Sequence, residues 1–564
     1  MSALDLARTK VEEANAALRA AFDRSRDDPG GAAQEFAKLC ARFPQAAAPL
    51  VGLAHIQRLI GADDDAARLL HLALQVEPNY ADALNNLAVI MRKRNRHDEA
   101  IELMQRADKL KPFDKLYGAN LVGLLRSRRR FDEAFAYSEA WAKADPDQPL
   151  AWQCLAECLI HTRRSAASIA AAQRLIALRP NATSYATLAR ALEATGRYLE
   201  AVEIAKTATA IDPNDNTALS AEIETLTSVG RVHEAMPLID ILAGRDSEID
   251  CRPMLSRAAL LAGPCMIGWK AYEHRFDSQR LRLPKLEKER WLGGEVAGKR
   301  IALINEQGAG DNIQFARAAW AIAAQGGQAL LHMSPHLAPL FSKLPPGVTF
   351  APTMAPDAYD MWTPVLSAPL ALNDPWCGSN AAYIFPPDGR AVPEPLRKPR
   401  KGLRVGMVWA GSPQHDQDHL RTCGLNVMMP LLGTPGVEFF ALQKGPAVGE
   451  IQSAVAGALL TELNPHLHDW GDTAAVIAEL DLVITVDTSV AHVAGAMGKP
   501  VWVMLQFAPD WRWGVESQTT HWYPSMRLYR QTTPLCWRAP VQAIGHDLAA
   551  LAAQSGQSRL QIAA

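Results

Sequence analysis

The stretch "LDLVITVDTSVAHVAGAMGKPVWVML", Leu480–Leu505, changes character twice within 26 residues. An apolar run ends at Val486. Asp487, Thr488 and Ser489 then open an Ala-rich segment that closes on Gly498 and Pro500, and a second apolar run follows. Short continuous apolar runs separated by a capped helical segment predict parallel strands buried on both faces. The spacing predicts a strand, a tight turn, a helix and a second strand. An isolated Asp-Thr-Ser at a helix start is most simply an N-cap. The same turn also presents backbone N–H groups and the positive end of a helix dipole, which together suit a phosphate.

The pattern extends on both sides. "LRVGMVWAG" (403–411), "VEFFALQ" (437–443) and "PVWVMLQ" (500–506) complete one group of strands, and "RIALIN" (300–305), "QALLHM" (328–333) and "VTFAP" (348–352) form another. A Pro-rich, basic linker, "PPDGRAVPEPLRKPRKG", separates them between Pro386 and Gly402. Two parallel sheets joined by a linker predict paired Rossmann-like lobes, with ligands beyond the carboxyl ends of the strands. In the first lobe such an end carries "NEQGAGD", in which Gly308 and Gly310 precede Asp311. Glycines there let another group approach closely, and the acid is placed either to cap a helix or to face a ligand.

The first half follows a different rule. Prolines fall at Pro44, Pro78, Pro112, Pro146, Pro180 and Pro213, at intervals of 34, 34, 34, 34 and 33. Ala66, Ala100, Ala134, Ser168, Ala201 and Ala235 keep the same beat. Each unit, as in "NNLAVIMRKRNRHDEAIELMQRADKLKP" (85–112), reads as two helices around a short turn, the second stopped by proline. The period and pattern resemble the tetratricopeptide repeat. Such arrays stack into a superhelix lined on its concave side by the first helix of each pair. Asn85, Asn86, Tyr117, Asn120, Trp152, Gln153 and Tyr185 lie on those first helices. Trp152 and Tyr185 occupy positions expected to be buried. Asn85, Asn86, Asn120 and Gln153 are the candidate groove residues for a polypeptide ligand.

Composition bounds the rest. The chain has 564 residues, a formal net charge of −2 and 48% apolar residues, so it can build large cores and carries no field for nucleic acid. The eight cysteines lack zinc-site spacing, and Cys154 and Cys158 read as buried thiols on a helix. The charged, amphipathic N-terminal stretch is unlike a signal peptide, and no long uncharged apolar run is present. The expected setting is the cytoplasm, without membrane insertion. Expected domains are a repeat array over 1–245, a helical connector over 246–298, a first lobe over 299–392 and a second over 393–564.

Taken in order, "EQGAGDNIQFAR", "VGMVWAGSP", "FFALQKG", "DLVITVDTSVAHVAGAMGKPVW" and "FAPDWRWG…WYPSMRLYRQ" are similar to the bacterial heptosyltransferase-type glycosyltransferases of the GT-B fold, and specifically to the branch fused to tetratricopeptide repeats. That resemblance implies a metal-independent, inverting transfer from a nucleotide sugar to a protein hydroxyl, with no cofactor beyond the co-substrate. It implies Asp311 as general base and Thr488 and Ser489 as the phosphate turn. Arg421, in "HDQDHLRTCGL", is its cationic partner. Gly308, Gly310, Gln443, Lys444, Asp487 and His492 complete the expected donor site, and Asp510, Trp511 and Arg512 the expected sugar pocket. The repeats would present the acceptor, with flagellin suspected because some proteins of this architecture are implicated in its glycosylation. Asp416 and Asp418, flanked by His415 and His419, mimic an acid-x-acid metal motif but are read as a solvated loop. Two alternatives stay open: a repeat scaffold that binds nucleotide or glycan without turnover, and a transferase acting on envelope glycan. ADP-heptose, UDP-hexosamine and CMP-nonulosonate all remain as donors.

Overall fold

The computed structural model describes residues 3–162, 164–245, 249–277, 283–415, 417–453 and 456–563. The chain forms two compact units, Met1–Thr195 and Gly196–Ala564.

The first unit is built of antiparallel helix pairs. Ala47–Leu59 pairs with Asp63–Val76, Ala81–Lys93 with His97–Leu110, Lys115–Ser127 with Phe131–Ala144, and Pro149–Ile160 with Ser165–Leu178. Each second helix ends two residues before its proline, because proline disfavours helical backbone in the residue that precedes it. The recurring small residues, from Ala66 to Ala235, are completely buried where paired helices touch. The turns within the first three of these pairs use left-handed backbone. Gly61 supplies it at φ 80°, whereas Asn95 (φ 60°) and Arg129 (φ 57°) adopt it against the preference of a side chain.

Trp152 and Tyr185 are only half-buried, contrary to expectation. The Trp152 indole N–H reaches back to the Pro146 carbonyl at 2.9 Å, which holds its ring at the edge. The large buried aromatic side chains of the first unit include Phe36, Tyr117 and Trp141. Trp141 fits because Gly118 leaves it room: a Cβ there would stand 3.0 Å from its ring. Cys154 and Cys158 are buried thiols, as read.

The second unit opens with more helices, Tyr198–Ile211, Asn216–Ser228, Val232–Ala243 and Arg252–Ala262. Two parallel sheets follow. Strands β1 (Arg300–Ile304), β2 (Gln328–His332), β3 (Val348–Phe350) and β4 (Met361–Pro364) run in the order β3-β2-β1-β4. Strands β5 (Leu403–Val408), β6 (Val437–Ala441), β7 (Leu460–Glu462), β8 (Leu482–Val486), β9 (Val501–Leu505) and β10 (Met526–Arg530) run in the order β10-β9-β8-β5-β6-β7. Every strand pairing is parallel. β5 and β8 have no exposed residue, which explains their mostly apolar sequence, interrupted only by Arg404 and Thr485.

The expected connector is not purely helical. After Met266–Tyr272 and one further turn, its end joins the first sheet: the Trp291 N–H donates to the Trp362 carbonyl at 2.7 Å. The interlobe linker is anchored too. Arg390 pairs with Asp469 at 2.7 Å and with Asp472 at 2.9 Å.

Candidate functional site

In the second sheet the chain runs outward from β5 through β6 to β7, then crosses back to β8 on the other side. The connections after β5 and β8 leave in opposite directions and open a crevice at the carboxyl ends of the strands. A cavity of about 810 Å³ lies there. Its walls are Ala410–Pro413 after β5, Leu442–Ala447 after β6, Leu467–Trp470, and Thr488–Val490 after β8, with His336 from the first lobe.

The first sheet reverses at β1 and β4 in the same way, but its crevice is filled. Glu306, just after β1, accepts two hydrogen bonds from Arg275, at 2.6 and 3.0 Å. Arg275 also donates to Glu273 at 2.9 Å and to Ser367 at 2.7 Å. Burying these charges is tolerable only because each is paired and hydrogen-bonded.

At the open crevice, Arg421 projects from the turn Asp418–Arg421. Its Nε donates to Asp418 Oδ1 at 3.0 Å and its Nη1 to the Asp487 carbonyl at 3.2 Å. Thr422 Oγ1 donates to Asp418 Oδ2 at 3.1 Å and accepts from the Gly411 N–H at 3.0 Å. Gly411 makes this possible. A Cβ there would lie 2.3 Å from Asp418 Oδ1 and 2.6 Å from Arg421 Nη2. The helix Ser489–Ala496 points its N-terminus into the same space. Thr488 holds the N-cap position but makes no side-chain cap hydrogen bond; its hydroxyl pairs with that of Thr485 at 3.0 Å. A guanidinium and an uncapped helix N-terminus therefore line one cavity. Both attract an anion.

The neighbouring pair was expected to contact nucleotide, and its side chains are otherwise engaged. Gln443 Oε1 accepts from the Trp409 and Ala410 N–H groups, both at 3.0 Å, and its Nε2 donates to the Ala410 and Lys444 carbonyls. It clamps the ends of β5 and β6 together. Lys444 Nζ donates to the Leu467 carbonyl at 2.7 Å, bracing the cavity wall. Both residues still line the cavity.

Asp311 sits at the junction of the two lobes. Its Oδ2 accepts from the Gly308 N–H at 3.0 Å, so it caps the helix Ala309–Phe315; its Oδ1 accepts from Arg512 Nη2 at 2.6 Å. Arg512 also pairs with Asp510 at 2.9 Å and donates to Gln314 at 2.9 Å. Burial pushes the Asp311 carboxyl up and Arg512 pulls it down, with burial prevailing. Asp487 follows the same pattern: burial raises it, Asp510 adds to the rise, and Arg512 and Arg421 oppose. Gly310 allows the lobes to meet. A Cβ there would stand 2.9 Å from the His492 ring and 3.5 Å from Ser489 Oγ.

The expected site thus separates into two groups. Arg421, Gln443, Lys444, Thr488 and Ser489 line the cavity, while Gly308, Gly310, Asp311, Asp487, His492, Asp510, Trp511 and Arg512 do not. His492 is buried, stacked on Trp513 at 5.5 Å and hydrogen-bonded to the Tyr523 hydroxyl at 3.1 Å. Burial, then Arg512 and Arg317, hold it well below the usual imidazole range, so it is a neutral wedge between lobes. Trp511 packs on Trp269 at 5.3 Å and lies, half-buried, against the apolar core. Sequence reasoning missed Gly411, Thr422 and His336. For Gly411 a signal existed, since a glycine three residues past the end of a buried strand marks close approach.

Asp416 lies outside the described residues, and the Asp418 carboxylate is taken up by Arg421 and Thr422. Among the described residues no group of three His, Cys, Asp or Glu side chains is placed to hold a metal ion.

In the repeats, the four candidate groove residues are tied to neighbouring side chains. Asn85 is buried and accepts from Asn120 at 2.9 Å. Asn86 accepts from Arg58 at 2.7 Å, and Gln153 donates to Glu157 at 3.1 Å and accepts from Arg179 at 3.3 Å. Several of these bonds run from one repeat to the next, which stiffens the array.

Residues 61–123 and 162–216 match tetratricopeptide-repeat family models. The helical pairs of the first part of the chain are tetratricopeptide repeats. A curated relative, Protein FlbA of Caulobacter vibrioides, is 30% identical over 298 residues, covering 46% of this chain and 48% of that protein. The chain therefore spans about half the length of the curated relative it matches. Among solved structures, a protein described as Pseudomonas aeruginosa pilF is 18% identical, covering 38% of this chain and 99% of its own, with a TM-score of 0.33. A tetratricopeptide repeat protein from Parabacteroides merdae is 15% identical, covering 42% and 95%, with a TM-score of 0.36. Among the described residues no helix is long and apolar enough to cross a membrane.

Proposed function

We propose that the second unit is a GT-B-type glycosyltransferase and that its cavity takes the nucleoside phosphate of a nucleotide sugar. One observation carries this reading: Arg421 and the uncapped N-terminus of the helix Ser489–Ala496 converge on an open cavity at the reversal of a parallel sheet. In the reaction, an acceptor hydroxyl attacks the anomeric carbon and the bond from that carbon to the phosphate oxygen breaks, with inversion. The hydroxyl proton passes to Asp311. The electron pair stays on the leaving phosphate, where Arg421 and the helix N–H groups stabilise it. This chemistry draws on the protein's own charges and uses no cofactor. The repeats hold the acceptor as a polypeptide, in the cytoplasm. The resemblance to the repeat-fused branch puts flagellin first among the acceptors to test.

The test is calorimetric titration of the full-length chain with ADP, UDP, GDP and CMP, and with their sugars. One nucleotide class should bind, and Arg421→Gln should weaken it about tenfold or more. Absence of binding to all of them sinks the reading. A second reading has its own support. Both Asp311 oxygens are already engaged, which suits a repeat scaffold that binds a nucleotide sugar without turning it over. Donor binding with no transfer to protein or glycan in cell extract would select it.

A further inference from the structure

The loop Asp510–Val515 touches three parts of the second unit. Toward the first lobe, Arg512 reaches Asp311 and Gln314. Toward the connector, Trp511 lies edge-on to Trp269 at 5.3 Å and to Tyr272 at 6.1 Å. Toward the helices Tyr198–Ala262, Trp511 and Val515 pack on the cluster that includes Leu226 and Leu261. The contact with Val515 is close. Gly230, at φ 78°, closes a helical turn, and a Cβ on it would stand 2.8 Å from Val515 Cγ1. The Arg512 guanidinium also lies over the Trp511 ring at 4.7 Å. Its placement is therefore fixed by the residue that the helices and the connector grip.

We propose that Arg512 is a positioning residue for Asp311, and that the helices of residues 198–262 hold Arg512 in place through Trp511 and Val515. These helices are then part of the site, not a detachable adaptor. The inference rests on the reading of Asp311 as the base. It assigns the repeats nearest the lobes a second task besides any acceptor capture.

The groups around Asp311 show why position matters. Arg512 is the cation that opposes burial, while Asp510 and Glu306 push the carboxyl up. Tyr272 lies on the connector side, and Asp487 on the β8 side shares the field of Arg512. His492 is held neutral. Moving Arg512 away thus leaves Asp311 among anions and apolar groups, where it binds its proton more tightly.

The experiment titrates the full-length chain labelled with [4-13C]aspartate, with the Asp311 resonance identified by its loss in Asp311→Asn. Arg512→Gln should raise the Asp311 midpoint by about one unit or more, and Arg512→Lys should recover at least half of that shift. Val515→Ser touches no charge, yet should raise the midpoint in the same direction by a few tenths of a unit. An unchanged midpoint in Arg512→Gln overturns the positioning role. A wild-type midpoint in Val515→Ser overturns the part assigned to the helices, and this variant carries the test if Arg512→Gln does not fold. Nucleotide affinity is measured on the same samples. If no form binds nucleotide, the proposed function fails while the titration still decides the role of Arg512.

Discussion

Asp311 is subject to two opposite demands. As a helix cap and ion-pair partner it must be ionised and fixed. As a base it must take up a proton. Asp311→Asn keeps an oxygen for the Gly308 N–H but removes the charge. Asp510 still holds Arg512 at 2.9 Å, so the cost to stability should stay near about 1–2 kcal/mol. Turnover should fall roughly 10²-fold or more with donor affinity retained. Wild-type turnover would leave Asp311 as a cap alone. His492 offers a second test at this scale. Its folded-state proton affinity is depressed, so the unfolded chain binds the extra proton first as pH drops. Stability from this group is present above about 6.5 and is lost on acidification below it. Denaturant titrations at pH 7.5 and pH 5 should show wild type losing more stability than His492→Gln. Equal losses would mean the imidazole is not held neutral.

At the scale of elements, the glycine after β5 decides how the turn Asp418–Arg421 can lie. Its backbone is unstrained, so the requirement is space alone. Gly411→Ala would drive a methyl into the Asp418 and Arg421 side chains. Both are side-chain ends with room to move, so stability should change by less than about 1 kcal/mol. Arg421 would leave the cavity wall, and nucleotide affinity should drop about tenfold. Unchanged affinity would show that Arg421 makes no contact with the ligand. The helix Ser489–Ala496 shows the complementary case. Asp487-Thr488-Ser489 reads as a cap, yet Thr488, at the N-cap position, makes no side-chain cap hydrogen bond. That leaves the helix N-terminus for a ligand.

At the scale of the molecule, the two compact units meet at Thr195–Gly196, not at the end of the 34-residue beat. Truncation experiments should respect this. Deleting residues 1–195 should leave nucleotide binding intact and lower or abolish transfer to protein. Deleting 1–245 also removes Gly230 and most of the cluster around Val515. That form should lose thermal stability and fail to hold the Asp510–Val515 loop. Melting curves and nucleotide titrations of the two truncations distinguish these outcomes. Equal stability would show that the last helices are dispensable to the lobes.

The sequence by itself determined what depends on local periodicity. Proline and alanine spacing marked the helix pairs, because proline ends helices and a close helix crossing accepts only small side chains. Continuous apolar runs marked the parallel strands, because burial on both faces leaves no polar alternation. Thr488 was legible as a strand-end residue for the same reason, whereas Arg421 entered only through the family resemblance of its loop. What only the tertiary structure decided depends on partners distant in sequence. Gln443 reads as a ligand contact, but its amide is consumed by Trp409 and Ala410, 34 and 33 residues away. Arg512 reads as a pocket residue, but its partner is Asp311, 201 residues away. Asn85 reads as a groove residue, but it bonds to Asn120 in the next repeat. A polar side chain announces that it needs a partner, and only the fold settles whether that partner is a ligand or the protein itself.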